Sequence, residues 1–166
     1  MLRSLVSFIF VLILLFQSLN HDVFASSRTF DKCMHLLNNK IQEDIELSYS
    51  VLKELKEKDS ALIYKYNDLI KMRIPIGKED THLNSLIVLF RGTSIGDRQL
   101  LIISDKYSPK WGNAFTGYLF YKEIDGTNVL LEIKRGEKVW EVVKQDKVRG
   151  KYITLEQIDK DCVRHD

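Results

Sequence analysis

Residues that favour burial recur at spacings of three and four through the first part of the chain beyond residue 29. This spacing places them on one face of a helix, because an α-helix turns once every 3.6 residues. No glycine or proline occurs between Thr29 and Met72. The pattern predicts a long helix of about seven turns. Its inner stripe consists of Phe30, Met34, Leu37, Ile41, Ile45, Ser48, Leu52 and Leu55.

A second helical segment is expected after an interruption at Asp59 and Ser60, whose side chains can cap a helix N-terminus. The chain therefore forms either one bent helix or two. We expect the helical half to end near Arg73, because Pro75 disfavours a helical conformation in the residue before it. The helical spacing of this second segment is carried by Leu62, Tyr66, Leu69 and Ile70.

The second half of the chain alternates apolar and polar residues, which is typical of strands with one buried face. Residues 117–144 predict three antiparallel strands, with Gly126 and Gly136 supplying positive φ in two tight turns. Two more strands are expected from the apolar runs 86–90 and 99–104, after a polar connector at 78–85. The meander carries apolar residues on both faces, so another element must cover its second face.

The predicted fold is α+β: a long N-terminal helix, either continuous or bent into two, packs on a curved antiparallel sheet of about five strands. Thr154 and Gln157 have the spacing of a capping box, which predicts a short C-terminal helix. Tyr152 and Ile153 could add a last short strand. Cystatin-like and nuclear-transport-factor-like cones have a similar architecture. This is an analogy of architecture alone, since no motif ties the chain to either group.

The first 25 residues have the three regions of a signal peptide. Arg3 precedes an uncharged apolar stretch from Leu5 to Leu19, and a cut after Ala25 would follow a short polar segment. The apolar stretch is short for a membrane span, which makes an uncleaved anchor the less favoured alternative. The sequence therefore predicts a signal peptide at 1–25, a single exported domain at 26–166, no stable membrane span after cleavage, and a secreted or periplasmic location.

Two cysteines, Cys33 and Cys162, lie near opposite ends of the expected mature chain. In an exported protein this arrangement predicts one disulfide. His35 lies only two residues from Cys33, so the two side chains do not share a helix face, and no metal site or other cofactor is expected.

The charge of the chain is nearly balanced, with 25 basic and 23 acidic residues and a net charge of +2. This excess is small for a protein that neutralises nucleic-acid phosphates, so no nucleic-acid partner is expected. Basic residues are locally dense between residues 134 and 151. They could meet an acidic partner or simply keep a sheet edge in solution.

No catalytic signature stands out in the sequence. Asp80, His82 and Asp97 could form an acid and base set, since histidine titrates near neutral pH, but connector residues of this kind are commonly solvated. No Gly-x-Ser-x-Gly elbow or His-Glu-x-x-His motif occurs. A small hydrolase that uses these three residues is therefore an alternative rather than the leading hypothesis.

Aromatic residues are concentrated in the strand-rich half, where they either fill the core or line a binding surface. The leading hypothesis is a non-enzymatic exported module that binds a protein or a small apolar ligand, with an inhibitory or immunity-type role as one version. Trp111 is the strongest candidate, because it lies between Pro109 and Gly112 in a segment that offers little burial. The predicted binding residues are Trp111, Phe115, Tyr118, Tyr121 and Trp140.

Overall fold

A computed structural model describes residues 30–58, 60–76, 80–103, 116–158 and 162, with only the backbone described at 73–76. These residues fall into two compact units. The larger unit covers 38–153, and the smaller combines the described residues up to 37 with those from 154 onward. The predicted signal peptide lies outside the described residues.

The smaller unit is closed by a disulfide between Cys33 and Cys162, whose Cα atoms are 5.6 Å apart. This bond confirms the predicted pairing, and the separation is typical of bridged cysteines. The predicted C-terminal helix is a short 3-10 helix, Leu155–Gln157. The backbone N–H of Thr154 donates to Gln157 Oε1 at 3.3 Å, as expected for one half of a capping box.

The long N-terminal helix is divided into two by Tyr49. The first helix, α1, is described over 30–48, and α2 spans Ser50–Lys56. Tyr49 has φ −131° and ψ 81°, outside the helical region. The predicted inner stripe is largely confirmed, because Leu37, Ile41, Ile45, Leu52 and Leu55 are all buried, whereas Phe30 is exposed. The bend thus occurs ten residues before the predicted interruption at Asp59.

The segment between the long helix and the main sheet differs from the prediction. Ala61–Tyr64 forms a short strand, β1, where a helix was expected, and α3 follows at Tyr66–Ile76. The next helix, α4, spans Thr81–Leu89, where the second part of the connector and most of the strand at 86–90 were predicted. Asp80 starts this helix, because its carboxylate accepts a hydrogen bond of 2.8 Å from the Leu83 N–H.

The sheet has five antiparallel strands in the order β1-β2-β3-β4-β5, which confirms the predicted strand number and pairing direction. The prediction of positive φ is confirmed at Gly126, where φ is 89°, but is wrong at Gly136. The Gly136 N–H donates to Val139 O at 2.9 Å, so a longer loop joins these strands and needs no two-residue turn. Tyr152 and Ile153 form no strand. The remaining strands are β2 at Ile95–Ile103, β3 at Thr116–Lys122, β4 at Thr127–Arg135 and β5 at Trp140–Arg149.

Helices contact both faces of the sheet in the larger unit. One face forms the main core with α3 and α4, from which Leu69, Leu83 and Leu86 pack against strand residues such as Leu119 and Val129. The other face carries Phe120, whose ring centroid lies 5.1 Å from the Lys56 ammonium of α2. The sequence predicts the helical segment of α3 but no helix at α4, so this second layer of helices differs from the prediction. The sheet residues in the main core are Leu100, Ile102, Leu119, Tyr121, Val129, Leu131, Ile133 and Trp140.

Candidate functional site

The aromatic residues predicted to bind a partner do not share one surface. Tyr121 and Trp140 are buried in the main core, only 9% and 4% exposed. Tyr118 is half-buried and lies on the opposite face of β3, because side chains alternate along a strand. Burial and the nearby Glu132 carboxylate raise the pKa of its hydroxyl. Trp111 and Phe115 lie outside the described residues, so the binding role of this set stays a prediction.

The ring of Tyr121 is also covered by the Arg98 guanidinium, whose central carbon lies 3.9 Å from the ring centroid. Arg98 donates to the backbone oxygens of Leu89 at 3.1 Å and Thr93 at 3.2 Å. These bonds tie the end of α4 to β2, and the stacking adds a cation–π contact. The Tyr121 ring therefore packs within the larger unit, between the main core and the Arg98 guanidinium.

The three residues of the alternative catalytic set each have a separate partner. Asp80 caps α4, and His82 in the first turn of that helix lies 3.1 Å from Gly136 O through Nε2. Asp97 pairs with Lys65 at 2.8 Å, and the Asp97 N–H donates to Asn38 Oδ1. Lys65 precedes α3, while Asp80 follows the end of that helix. An 11-residue helix is about 16 Å long. Asp80 and His82 therefore lie near the C-terminal end of α3, and Asp97 lies near its N-terminal end.

A buried ion pair that was not predicted joins α1 to the hairpin of β3 and β4. Lys122 is fully buried, and its ammonium donates to Asp44 Oδ2 at 2.7 Å, Gly126 O at 3.2 Å and Lys151 O at 3.0 Å. An ammonium group has three N–H donors, so all of them are used. Lys122 therefore has no donor left for a substrate, and its role is to hold the surrounding backbone together.

Asp44 Oδ2 is the centre of this cluster. Besides Lys122, it accepts hydrogen bonds from Asn128 Nδ2 at 2.8 Å and the Lys151 N–H at 3.0 Å. Burial alone would raise the pKa of Asp44, but these bonds and the Lys122 charge outweigh it and hold the pKa below its usual value. A Cβ atom on Gly150 would collide with the polar atoms of Asp44 and Asn128. Glycine is therefore required at this position.

The sequence held one signal for this cluster. Lys122 is two residues from Phe120, so the alternation of β3 places both side chains on the same face. A lysine at an inward position needs an acidic partner, because an unpaired buried charge is costly. The sequence alone does not identify Asp44 as this partner, because Asp44 lies 78 residues from Lys122.

The most exposed feature of the sheet is β5, the last strand in the order. Among the described residues it pairs with β4 alone, so its other side has no neighbouring strand. Trp140 is buried, but the residues after it are exposed or half-buried. Val142, Val143 and Val148 are 45%, 48% and 41% exposed. An edge strand of ten residues with exposed valines can accept another strand.

The pairing of β5 with β4 shows which of its backbone groups face outward. The Gly150 N–H donates to Gly126 O at 3.2 Å, and the register continues with Thr127 opposite Arg149. Antiparallel pairs alternate between hydrogen-bonded and non-hydrogen-bonded. Even-numbered residues 146 and 148 therefore bond to β4. The N–H and C=O groups of Gln145, Lys147 and Arg149 point to the outer edge.

The basic residues of β5 are balanced by acids of the same chain. Lys144 pairs with Asp146 at 2.7 Å, and the hydrogen bond to Asp146 and the charge of its carboxylate raise the pKa of Lys144. Lys147 pairs with Glu123 at 2.6 Å. Arg149 contacts Asp125 at 3.3 Å. The edge therefore presents alternating charges rather than a uniformly basic surface.

Comparison with known proteins gives no assignment: no family model matches the chain, and no curated protein or solved structure is significantly similar to it. Within the described ranges, no helix is long and apolar enough to cross a membrane. The same part of the chain contains no group of three or more His, Cys, Asp or Glu side chains placed to hold a metal ion.

Proposed function

We propose that this chain is a non-enzymatic, exported binding module that recognises a protein by accepting an extended segment along the outer edge of β5. The observation that carries the proposal is the outward-facing backbone of a ten-residue edge strand. Strand addition uses such groups for affinity, and side chains on alternate faces provide specificity. An inhibitory or immunity-type role is one version of this function.

The contacts of the other candidate residues support a protein partner over a small apolar ligand. Tyr121 and Trp140 are packed in the core, whereas the valines of β5 are exposed. The partners of Asp80 and Asp97 lie at opposite ends of a helix pair, which supports a non-enzymatic role.

Export is part of the proposal, with a secreted or periplasmic location. The disulfide between Cys33 and Cys162 fits an oxidising compartment, where such bonds persist. The predicted signal peptide at 1–25 supplies a route there. N-terminal sequencing of exported protein tests this part, with Ser26 as the expected first residue.

A substitution at Lys147 tests strand addition. Lys147→Pro removes an outward N–H that makes no bond to β4, so the sheet should remain folded while an added strand loses a hydrogen bond and meets the proline ring. Lys147→Ala is the matched control, because it removes the same charge and keeps the N–H. Affinity columns that carry the wild type or either variant should be loaded with the material into which the protein is exported.

A partner retained by the wild type and by Lys147→Ala, but bound about tenfold more weakly by Lys147→Pro, would support the proposal. That ratio corresponds to about 1.4 kcal/mol. Thermal unfolding of both variants checks that the sheet is intact. A partner that binds all three proteins equally would show that recognition does not use the edge of β5.

A further inference from the structure

The sequence of β5 is complementary to itself when two copies run antiparallel. Two such copies are related by a twofold axis. If this axis passes through Gln145, Lys144 of one copy lies opposite Asp146 of the other, and this pair occurs twice. Val143 then lies opposite Lys147. Opposite charges that face each other across strands stabilise their pairing.

Backbone directions limit the choice of register. Two copies can hydrogen-bond only through outward-facing residues, and in the regular part of β5 these are Gln145, Lys147 and Arg149. Registers centred on Lys144, Asp146 or Lys147 each place two like charges on the axis. The register centred on Gln145 uses the outward groups and opposes no like charges. This register is therefore favoured over those centred on Lys144, Asp146 or Lys147.

A bulge in β5 limits the length of this register. Glu132 lies opposite Lys144 and Ile133 opposite Val142, so Val143 is an extra residue. The regular ladder with β4 runs from Lys144 to Arg149, so in this register Lys144, Gln145 and Asp146 of both copies pair within regular strand, and the bulge ends the regular pairing on either side. Within that ladder Lys144 and Asp146 lie on the same face of the sheet, and their side chains are 62% and 41% exposed. Both are thus accessible to a second copy.

We infer that the segment bound at the edge of β5 is β5 of a second copy of this chain, paired antiparallel about Gln145. This inference rests on the proposed function and names its partner. The two five-stranded sheets would join into one sheet of ten strands. The Lys144 to Asp146 ion pair within each chain would be exchanged for two such pairs between chains.

A single pair of strands forms a small interface, so self-association should be weak and depend on protein concentration. The outward N–H groups of Gln145 and Lys147 should exchange with solvent rapidly in dilute protein. They should become protected as the concentration rises, because the second strand bonds to them. The Val148 N–H bonds to β4 at every concentration and serves as the internal reference.

A charge-swap experiment tests the register. K144D makes positions 144 and 146 both acidic, and D146K makes both basic, so each variant should fail to self-associate in analytical ultracentrifugation. An equimolar mixture should associate, because the acidic pair of one then faces the basic pair of the other. The double variant K144D/D146K should recover self-association. Equal melting temperatures in dilute samples show that the variants remain folded.

The outcomes separate this inference from the proposed function. Self-association of the wild type that is lost in both single variants and restored in their mixture supports both. If the wild type stays monomeric up to millimolar concentration, or if the mixture does not associate, the inference is wrong. If another protein binds the wild type but not Lys147→Pro, the proposed function still stands. If Lys147→Pro changes no binding, the proposed function fails as well.

Discussion

Lys122 shows how much a single buried charge constrains this fold. Lys122→Met should lower the free energy of unfolding by about 3 to 5 kcal/mol, because it leaves the Asp44 carboxylate buried without its cation. Lys40→Met is the matched control: Lys40 pairs with Glu43 at 2.8 Å, but both side chains are exposed, so its loss should cost about 1 kcal/mol or less. Urea unfolding measures both. Equal small losses would show that the buried pair contributes no more than a surface pair.

Asp44 should also make the folded state sensitive to acid. Its folded pKa lies below the ordinary value of 3.8, so the stabilisation is fully present above that value and is lost as the pH falls through the folded pKa. In that window the unfolded chain binds the proton before the folded chain does. The free energy of unfolding should therefore fall more steeply in the wild type than in D44N/K122M as the pH is lowered through and below 3.8.

The double variant is the appropriate comparison because it removes the pair without leaving Lys122 uncompensated. Glu46 and Asp125 also have lowered pKa values, the first through Lys56 and Gln42 and the second through Thr127, and they remain in both proteins. Any difference in slope then belongs to Asp44. Identical slopes in the two proteins would contradict the assignment.

At the scale of elements, the sequence predicted the features that depend on long periodic patterns. The inner stripe of α1 and α2, the three-strand meander and the short C-terminal helix follow from spacings repeated over many residues or from a capping pair. The bend at Tyr49 does not. The residue at the bend makes a long-range contact instead, because the Tyr49 hydroxyl donates to Asn128 O at 2.8 Å, 79 positions away.

The errors concern short apolar segments. Residues 86–90 are too few for periodicity alone to distinguish a strand from the end of a helix. The helical signal was present, since Leu83, Leu86, Ile87 and Phe90 have helical spacing and Asp80 supplies the cap. Strand β1 has only four residues and depends on its pairing with β2.

The candidate site was the least predictable part. The third strand of the meander at 117–144 was predicted, but the free edge of β5 depends on the order of all five strands. Tyr121 and Trp140 were predicted to bind, and they are buried because α3 and α4 cover their face of the sheet. No local pattern specifies which face a distant helix covers.

At the scale of the whole molecule, the disulfide should contribute strongly to stability. Cys33 and Cys162 are separated by 129 positions, and in the chain-entropy model a loop of this length stabilises the folded state by about 5 kcal/mol. Reduction of the wild type, or Cys162→Ser, should lower the melting temperature markedly. The variant Cys33→Ser/Cys162→Ser is the control, because a reducing agent should leave its melting temperature unchanged. A wild type that melts equally with and without the reducing agent would contradict this expectation.

The same bond also determines what happens when the backbone is cut. A protease that hydrolyses one peptide bond between residues 34 and 161 produces two fragments, yet the sulfur atoms keep both in one covalent molecule. A cut in the hairpin turn at Asp125, which is exposed and far from either cysteine in sequence, is one example. A single cut there opens the ring of backbone and disulfide without releasing either strand of the hairpin, so the fragments can stay folded together.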